Sequence, residues 1–291
     1  MLKPGQHGRS KLDADNYHRD GHIRLSSSRN PEFGMFRLVS ASLALFITGL
    51  FGTFATEVRA DAGRAANAPA PDITIYHLEG RRSERIVWLM EELGMPYKLE
   101  YVRGDLAASM AKVRALGHEM PMVPTVVIDE QILVESGAII DLILARYAPG
   151  RLTPARDSVD YPGHLMWMHY AEGSLAARLF SDYRAWRTRP PTVRSRFVDS
   201  EAVVQFSENH LAKHSWFGGS EFSTADIMML FPLNVATGLN LVDKEKFPHI
   251  AAWKKKIENR PAYQRMLAAA RPDGMIGNLP PIKQRPPSER K

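Results

Sequence analysis

The 291-residue chain contains no cysteine. That absence removes disulfides, cysteine nucleophiles and thiolate metal sites together. The ten histidines are spread along the chain, and no metal-binding set is read from them; His164 and His169, five apart, would fall on different faces of a helix. No metal is expected. Positive charge is missing where nucleic acid would need it. The formal charge is +6, but residues 1–37 hold seven Lys/Arg against four Asp/Glu, residues 271–291 hold five against two, and 38–270 carries 26 of each sign. A folded body without net positive charge does not suit a phosphate backbone, so no nucleic-acid partner is expected.

The first 62 residues stand apart from the rest. Residues 1–34 are polar, without apolar periodicity, and read as a disordered segment or as translation from an early start. Residues 35–62 read as a signal peptide or membrane anchor. Leu38 to Thr56 is an uncharged run of 19 residues, and Ala60-Asp61-Ala62 is a small-x-small cleavage pattern. Translation from Met35 gives a secretory signal peptide; translation from Met1 gives a run just long enough to span a bilayer. The basic residues before the run place the domains after it outside the cytoplasm in both cases. Export or inner-membrane anchoring, with attachment through residues 38–56, is therefore expected, and a cytoplasmic chain is the alternative.

Residues 63–71, rich in Ala, Asn, Gly and Pro, read as a linker. From Asp72 the pattern changes. Ile73-Thr74-Ile75-Tyr76 has the makeup of a strand, and Ile86, Val87, Leu89, Met90 and Leu93 repeat at helical spacing before Gly94. A strand over Tyr97–Val102, a helix over Leu106–Leu116, a strand after Pro124, a short strand over Gln131–Val134 and a helix over Glu135–Arg146 complete the order β-α-β-α-β-β-α. That order predicts a thioredoxin-like α/β domain over 72–147. No strand pattern appears beyond it. Helical runs at Tyr161–Thr188, Pro191–His214, Thr224–Gly238, Phe247–Asn259 and Pro261–Ala270 predict an all-α bundle domain over 158–270, and 271–291 reads as a Pro-rich basic tail.

Two motifs carry the chemistry. Proline in Met122-Val123-Pro124-Thr125 lies directly before a β run, a position that suits a strand's first residue or a tight turn. A cis bond at Val123-Pro124 would turn the Val123 N–H and C=O outward to pair with an extended peptide. Glu135-Ser136 opens an apolar helix, and N–H groups with a serine hydroxyl at a helix start favour a carboxylate. Further along, Phe222-Ser223-Thr224-Ala225-Asp226-Ile227 is a capping box with a hydrophobic staple.

In this order the motifs resemble the glutathione S-transferase family over about residues 72–270, with Arg260-Pro261-Ala262-Tyr263 as a further family-like feature. The resemblance implies that Val123 before Pro124 holds the cysteinyl backbone of glutathione, and that Glu135 and Ser136 hold its γ-glutamyl carboxylate. Ser223 and Asp226 start the buried helix of the C-terminal domain. The expected activity is conjugation of the glutathione thiolate to an apolar electrophile in detoxification, or glutathione-dependent peroxide reduction, with glutathione as co-substrate in a homodimer. The alternative is a non-catalytic glutathione- or ligand-binding protein with the transferase fold.

The chain departs from the family pattern at two places. Relatives place a tyrosine at the end of the first strand or a serine about five residues later; here Tyr76 fits the first register, and Arg81 stands in the serine slot. Tyr76 is the first candidate for stabilising the thiolate, Ser83 the second and the Arg81 cation the third. Pro121-Met122 replaces the usual glycine-lysine, so Met122 adjoins the peptide edge while Arg81 and Arg82 are left to meet an anion. Trp167 and Tyr170 are the candidate electrophile pocket, although their spacing also fits plain helix packing, which is the reading it favours.

Overall fold

A computed structural model describes residues 71–287. The expectations for 1–34, for the apolar run at 38–56 and for most of the linker lie outside those residues. Strand β1 (Ile73–Tyr76) alternates, with Ile73 and Ile75 buried and Thr74 and Tyr76 half-buried. It runs parallel to β2 (Lys98–Glu100) and antiparallel to β3 (Thr125–Ile128), which pairs antiparallel with β4 (Gln131–Val134). The four-stranded order is β2-β1-β3-β4. Helices α1 (Glu84–Leu93), α2 (Leu106–Ala115) and α3 (Ser136–Tyr147) complete the thioredoxin-like layer.

The remaining helices are α4 (Tyr161–Tyr170), α5 (Ala177–Thr188), α6 (Ser200–Leu211), α7 (Thr224–Gly238), α8 (Pro248–Glu258) and α9 (Pro261–Ala270). Between α4 and α5 the rod continues as a π-helical turn, Ala171–Ala176, where a single uniform helix was expected. The run predicted from Pro191 also differs: α6 begins only at Ser200, because Asp199 accepts from the Ala202 N–H at 2.9 Å and fixes the first turn there.

Helix α1 is apolar on more faces than an ordinary surface helix, and the packing explains why. Ile86, Leu89, Met90 and Leu93 are buried with the sheet residues Ile73, Ile75, Val126 and Ile128, while Trp88 packs edge-on to Tyr263 of α9 at 5.0 Å. The Arg260 guanidinium binds both carboxylate oxygens of Glu92 at 2.7 and 2.8 Å and lies 3.6 Å from the Phe222 ring centroid. One helix is thus shared by both layers, which positions its N-terminus as part of the site.

Among the described residues no helix is long and apolar enough to cross a membrane. Nor do any three His, Asp or Glu residues stand together as a metal site among them. His210 and His214 do lie four apart, and their rings stack at 4.4 Å.

Candidate functional site

The candidate peptide edge lies where β3 begins. The Val123–Pro124 bond is cis. The Thr125 hydroxyl donates to the Met122 carbonyl at 2.5 Å, fixing the turn, and Thr125 sits opposite Tyr76 in the sheet. Among the described residues the Val123 N–H and C=O make no hydrogen bond. Eleven residues beyond Pro124, Glu135 holds φ at +74° immediately before α3. A non-glycine residue there costs about 1–3 kcal/mol and persists where surrounding structure imposes it. Its carboxylate is exposed and makes no capping bond, whereas Ser136, the first residue of α3, is buried.

Ser136 leads to Arg85, which the sequence offers as one of three cations at the start of α1 but not as a site residue. Arg85 of α1, 3 % exposed, donates from Nη1 to Ser136 Oγ at 3.3 Å and to Glu172 Oε1 at 2.6 Å, and from Nη2 to the Met228 carbonyl at 2.6 Å. That last bond has a cause in the sequence. Pro232 lies inside α7 and has no N–H, so the Met228 carbonyl four residues earlier has no helical donor. Burial pulls the Arg85 pKa down to about 10, against the opposing pull of Glu172, so Arg85 stays charged at neutral pH.

Glu172 lies in the π-helical turn, a geometry frequent at functional positions. Arg82 binds it through Nε and Nη2 at 2.7 and 2.9 Å, and the Arg82 guanidinium lies 4.7 Å from the Phe231 ring. Burial pushes the Glu172 pKa up, but Arg82 and Arg85 outweigh it and hold the carboxylate below its ordinary range. One carboxylate therefore serves two arginines, which leaves this cluster with surplus positive charge beside Ser136.

Next to that cluster lies a cavity of about 710 Å³, walled by Trp88, Phe180, Leu230, Phe231 and Tyr263 and carrying Arg81 and Arg82 on its α1 side. The segment after α9 closes it through Met275, Leu279 and Pro281. The stretch expected as a tail is thus a wall, with Ile282 2 % exposed and the Tyr183 hydroxyl donating to the Pro280 carbonyl at 2.8 Å.

The structure sorts the expected residues. Arg81 and Arg82 line the cavity and Ser136 adjoins it through Arg85. Tyr76 alternates onto the sheet face opposite Ile75 and is not among the cavity-lining residues. Ser83 is fully buried and its hydroxyl is used: it accepts from the Leu78 N–H at 3.1 Å and lies 2.9 Å from His77 Nδ1. A thiolate cannot reach it. Trp167, 1 % exposed, packs against Tyr170, Phe206, His210 and Phe217 at 4.8–5.1 Å, so Trp167 and Tyr170 build the helical core and not an electrophile pocket. The capping box is present, with the Ser223 N–H donating to Asp226 Oδ2 at 3.0 Å.

His77 carries a pH consequence. Its Nε2 donates to the Ala270 carbonyl at 2.5 Å, so the neutral ring accepts the Ser83 hydroxyl at Nδ1. Burial lowers its pKa from 6.5 to about 4, partly opposed by the Ala270 bond. Between those values the unfolded chain binds more protons, so this contribution to stability is present above pH 6.5 and is lost as pH falls towards 4. Replacing His77→Gln should therefore cost about 2 kcal/mol less at pH 5 than at pH 7, measured by urea unfolding. A cost that is the same at both pH values would refute a neutral buried imidazole.

Sequence reasoning also missed Glu172, and a signal existed. Glu172 is the one acid between Asp160 and Asp182 and is flanked by Ala171 and Gly173, so packing it inward needs a cation, as Pro232 inside α7 needs an outside donor.

Comparison with known proteins bears on the family and the fold. The glutathione S-transferase N-terminal domain matches residues 75–151, and the glutathione S-transferase C-terminal domain matches 189–261. Glutathione S-transferase 3 of Schizosaccharomyces pombe is 27 % identical over 209 residues, 65 % of this chain and 84 % of that protein. A glutathione S-transferase from Actinobacillus pleuropneumoniae superposes with a TM-score of 0.57 at 28 % identity, covering 68 % of this chain and 92 % of that one. A glutathione transferase homologue from Sulfitobacter, solved with bound glutathione, superposes with a TM-score of 0.54 at 23 % identity, covering 68 % and 98 %. The chain belongs to the glutathione S-transferase family.

Proposed function

We propose that this protein is a glutathione transferase that joins the glutathione thiolate to an apolar electrophile. The observation that carries the reading is the surplus of positive charge around Ser136 and Arg85 directly beside an apolar cavity of about 710 Å³. In this reading the α3 N-terminus, Ser136 and the Arg82–Arg85 pair receive the γ-glutamyl carboxylate, and the cysteinyl backbone pairs with the free Val123 edge. The thiol then points into the cavity. A free thiol has a pKa of about 8.5, and Arg81 on the cavity wall favours its anion. The thiolate sulfur forms the new bond to carbon while the leaving group departs with its electron pair.

Ser136→Ala is expected to lower retention on immobilised glutathione about tenfold, roughly 1.4 kcal/mol, while leaving the melting temperature within a few degrees. Unchanged retention would remove Ser136 from the site.

A second reading, a non-catalytic glutathione-binding protein, is favoured by one observation: Ser83 is sealed in the turn and Tyr76 is absent from the cavity lining. Turnover of a chlorinated nitroaromatic decides between the two, since retention on glutathione without turnover sinks the enzyme reading.

The homodimer is also a proposal, supported by Leu165 and Met166 standing exposed on α4, and sedimentation velocity tests it. Export or anchoring stays a proposal too. The mature N-terminus from fractionated cells tests it: a soluble cytoplasmic chain beginning at Met1 overturns it.

A further inference from the structure

The segment from Arg271 to Arg285 is seated on the body at both ends. Arg81 Nη2 donates to the Gly277 carbonyl at 2.6 Å, the Ile282 N–H to the Leu239 carbonyl at 3.0 Å, and Asn240 Nδ2 to the Ile282 carbonyl at 3.0 Å. Two glycines permit the close approach. A Cβ on Gly80, whose φ is +70°, would lie 2.7 Å from Met275 Cε, and one on Gly277 would lie 2.5 Å from Leu106 Cδ1. The seating carries Arg271 to the cavity wall beside Glu84 of α1, with Arg271 Nε 3.2 Å from Glu84 Oε1.

The charge on this wall does not balance. Glu84 Oε1 accepts the Gly80 N–H at 2.8 Å and is the carboxylate that both Arg271 and Arg81 act on. Among the described residues the Arg81 guanidinium hydrogen-bonds only to carbonyls, those of Glu79, Gly80 and Gly277. Among the described residues the buried Arg271 Nε has no hydrogen bond, and Nη2 reaches only the Tyr263 hydroxyl at 3.4 Å. Among the cavity-lining groups two cations therefore face one carboxylate, as Arg82 and Arg85 share Glu172 on the neighbouring wall; Glu79 also acts on Glu84, but it lies outside the lining, where it accepts from the Gly104 N–H. Uncompensated charge in an apolar cavity is costly, and the surplus at each wall calls for its own anion. Glutathione's γ-glutamyl carboxylate answers the Glu172 side. The thiolate answers the Arg81–Arg271 side only until transfer, when sulfur becomes a neutral thioether.

We propose that the second substrate itself carries an anionic group, a carboxylate or sulfonate on a flat apolar body, and that Arg271 together with Arg81 receives it. The proposal rests on the reading that glutathione occupies the Ser136 side. The flat body has Phe180, Phe231 and Met275 to pack on, and the anion replaces the missing counter-charge throughout turnover.

The test uses the full chain without glutathione and two probes with one ring system, 2-naphthoate and methyl 2-naphthoate, titrated by calorimetry. The expected result is naphthoate binding at least about tenfold tighter than the ester. Arg271→Met should remove that preference and leave ester affinity within about twofold, Arg271→Lys should keep most of it, and Glu84→Gln should strengthen naphthoate binding. Equal binding of the two probes overturns the proposal. So does an Arg271→Met effect of the same size on both, or a protein that retains glutathione yet binds neither probe. Retention on immobilised glutathione is measured on the same preparation. Its loss with the naphthoate preference intact overturns the glutathione reading and supports the anionic preference of the cavity.

Discussion

Arg85→Met is expected to destabilise the protein by about 3–5 kcal/mol, the range for removing one partner of a buried ion pair. Methionine keeps most of the side chain's length, so the cost is polar and not a cavity. Three groups lose their donor. Glu172 keeps Arg82, but the Met228 carbonyl has no donor within the helix to fall back on, because Pro232 offers no N–H. Ser136 loses the bond that aims its hydroxyl. Urea unfolding measures the loss, and a cost under about 1 kcal/mol would refute the hub. A second substitution isolates the carbonyl. In the Arg85→Met background Pro232→Ala restores an N–H to Met228 and should recover about 1–2 kcal/mol, whereas in the parent chain it should recover much less. Additive effects in that cycle would mean that the two residues do not share the carbonyl.

Asp226→Ala is expected to cost about 4 kcal/mol or more. Its carboxylate has no exposure, and it accepts from the Phe217 N–H at 2.9 Å, the Ser223 N–H at 3.0 Å and Trp253 Nε1 at 2.8 Å. Three buried donors would be orphaned at about 1–3 kcal/mol each, less what relaxation recovers. The loss also reaches beyond one cap. Phe217 belongs to the loop before α7 and Trp253 to α8, so this side chain ties two elements to the helix that carries the cavity wall. Asp226→Asn should fall between, since an amide oxygen at Oδ1 still accepts from Phe217 and Trp253 while its NH₂ opposes the Ser223 N–H. Ser223→Ala, which removes the hydroxyl that caps the Ala225 N–H at 3.3 Å and lies 3.2 Å from His164 Nδ1, should cost about 1–2 kcal/mol. A ranking in which Ser223→Ala exceeds Asp226→Ala would reduce the box to an ordinary cap.

Local patterns made most of the fold legible. β1 and α1 were readable because burial on one face imposes periods of two and 3.6, and α7 because its box announces itself before an apolar run. The delay of α6 to Ser200 was less so, since several polar residues between Pro191 and Ser200 could each have begun the helix. Of the candidate site, the backbone was legible: the cis bond at Val123-Pro124 and the helix start at Glu135-Ser136. The candidate site was illegible where it depends on partners far apart in sequence. Arg85 and Glu172 are separated by 87 residues, and nothing local distinguishes Arg85 from its neighbours Arg81 and Arg82. Trp167 misled for the same reason, as an aromatic at helical spacing serves a core or a pocket alike.

By itself the sequence determined the family, the order of the layers and the turn at Pro124 before β3, because proline, caps and apolar periodicity act on their own neighbourhood. Only the tertiary structure decided which arginine is buried, that Ser83 is sealed, that Trp167 is core and that the segment after Ala270 walls the cavity. Those outcomes depend on which charges and carbonyls meet once the helices pack, and desolvation makes each such meeting obligatory.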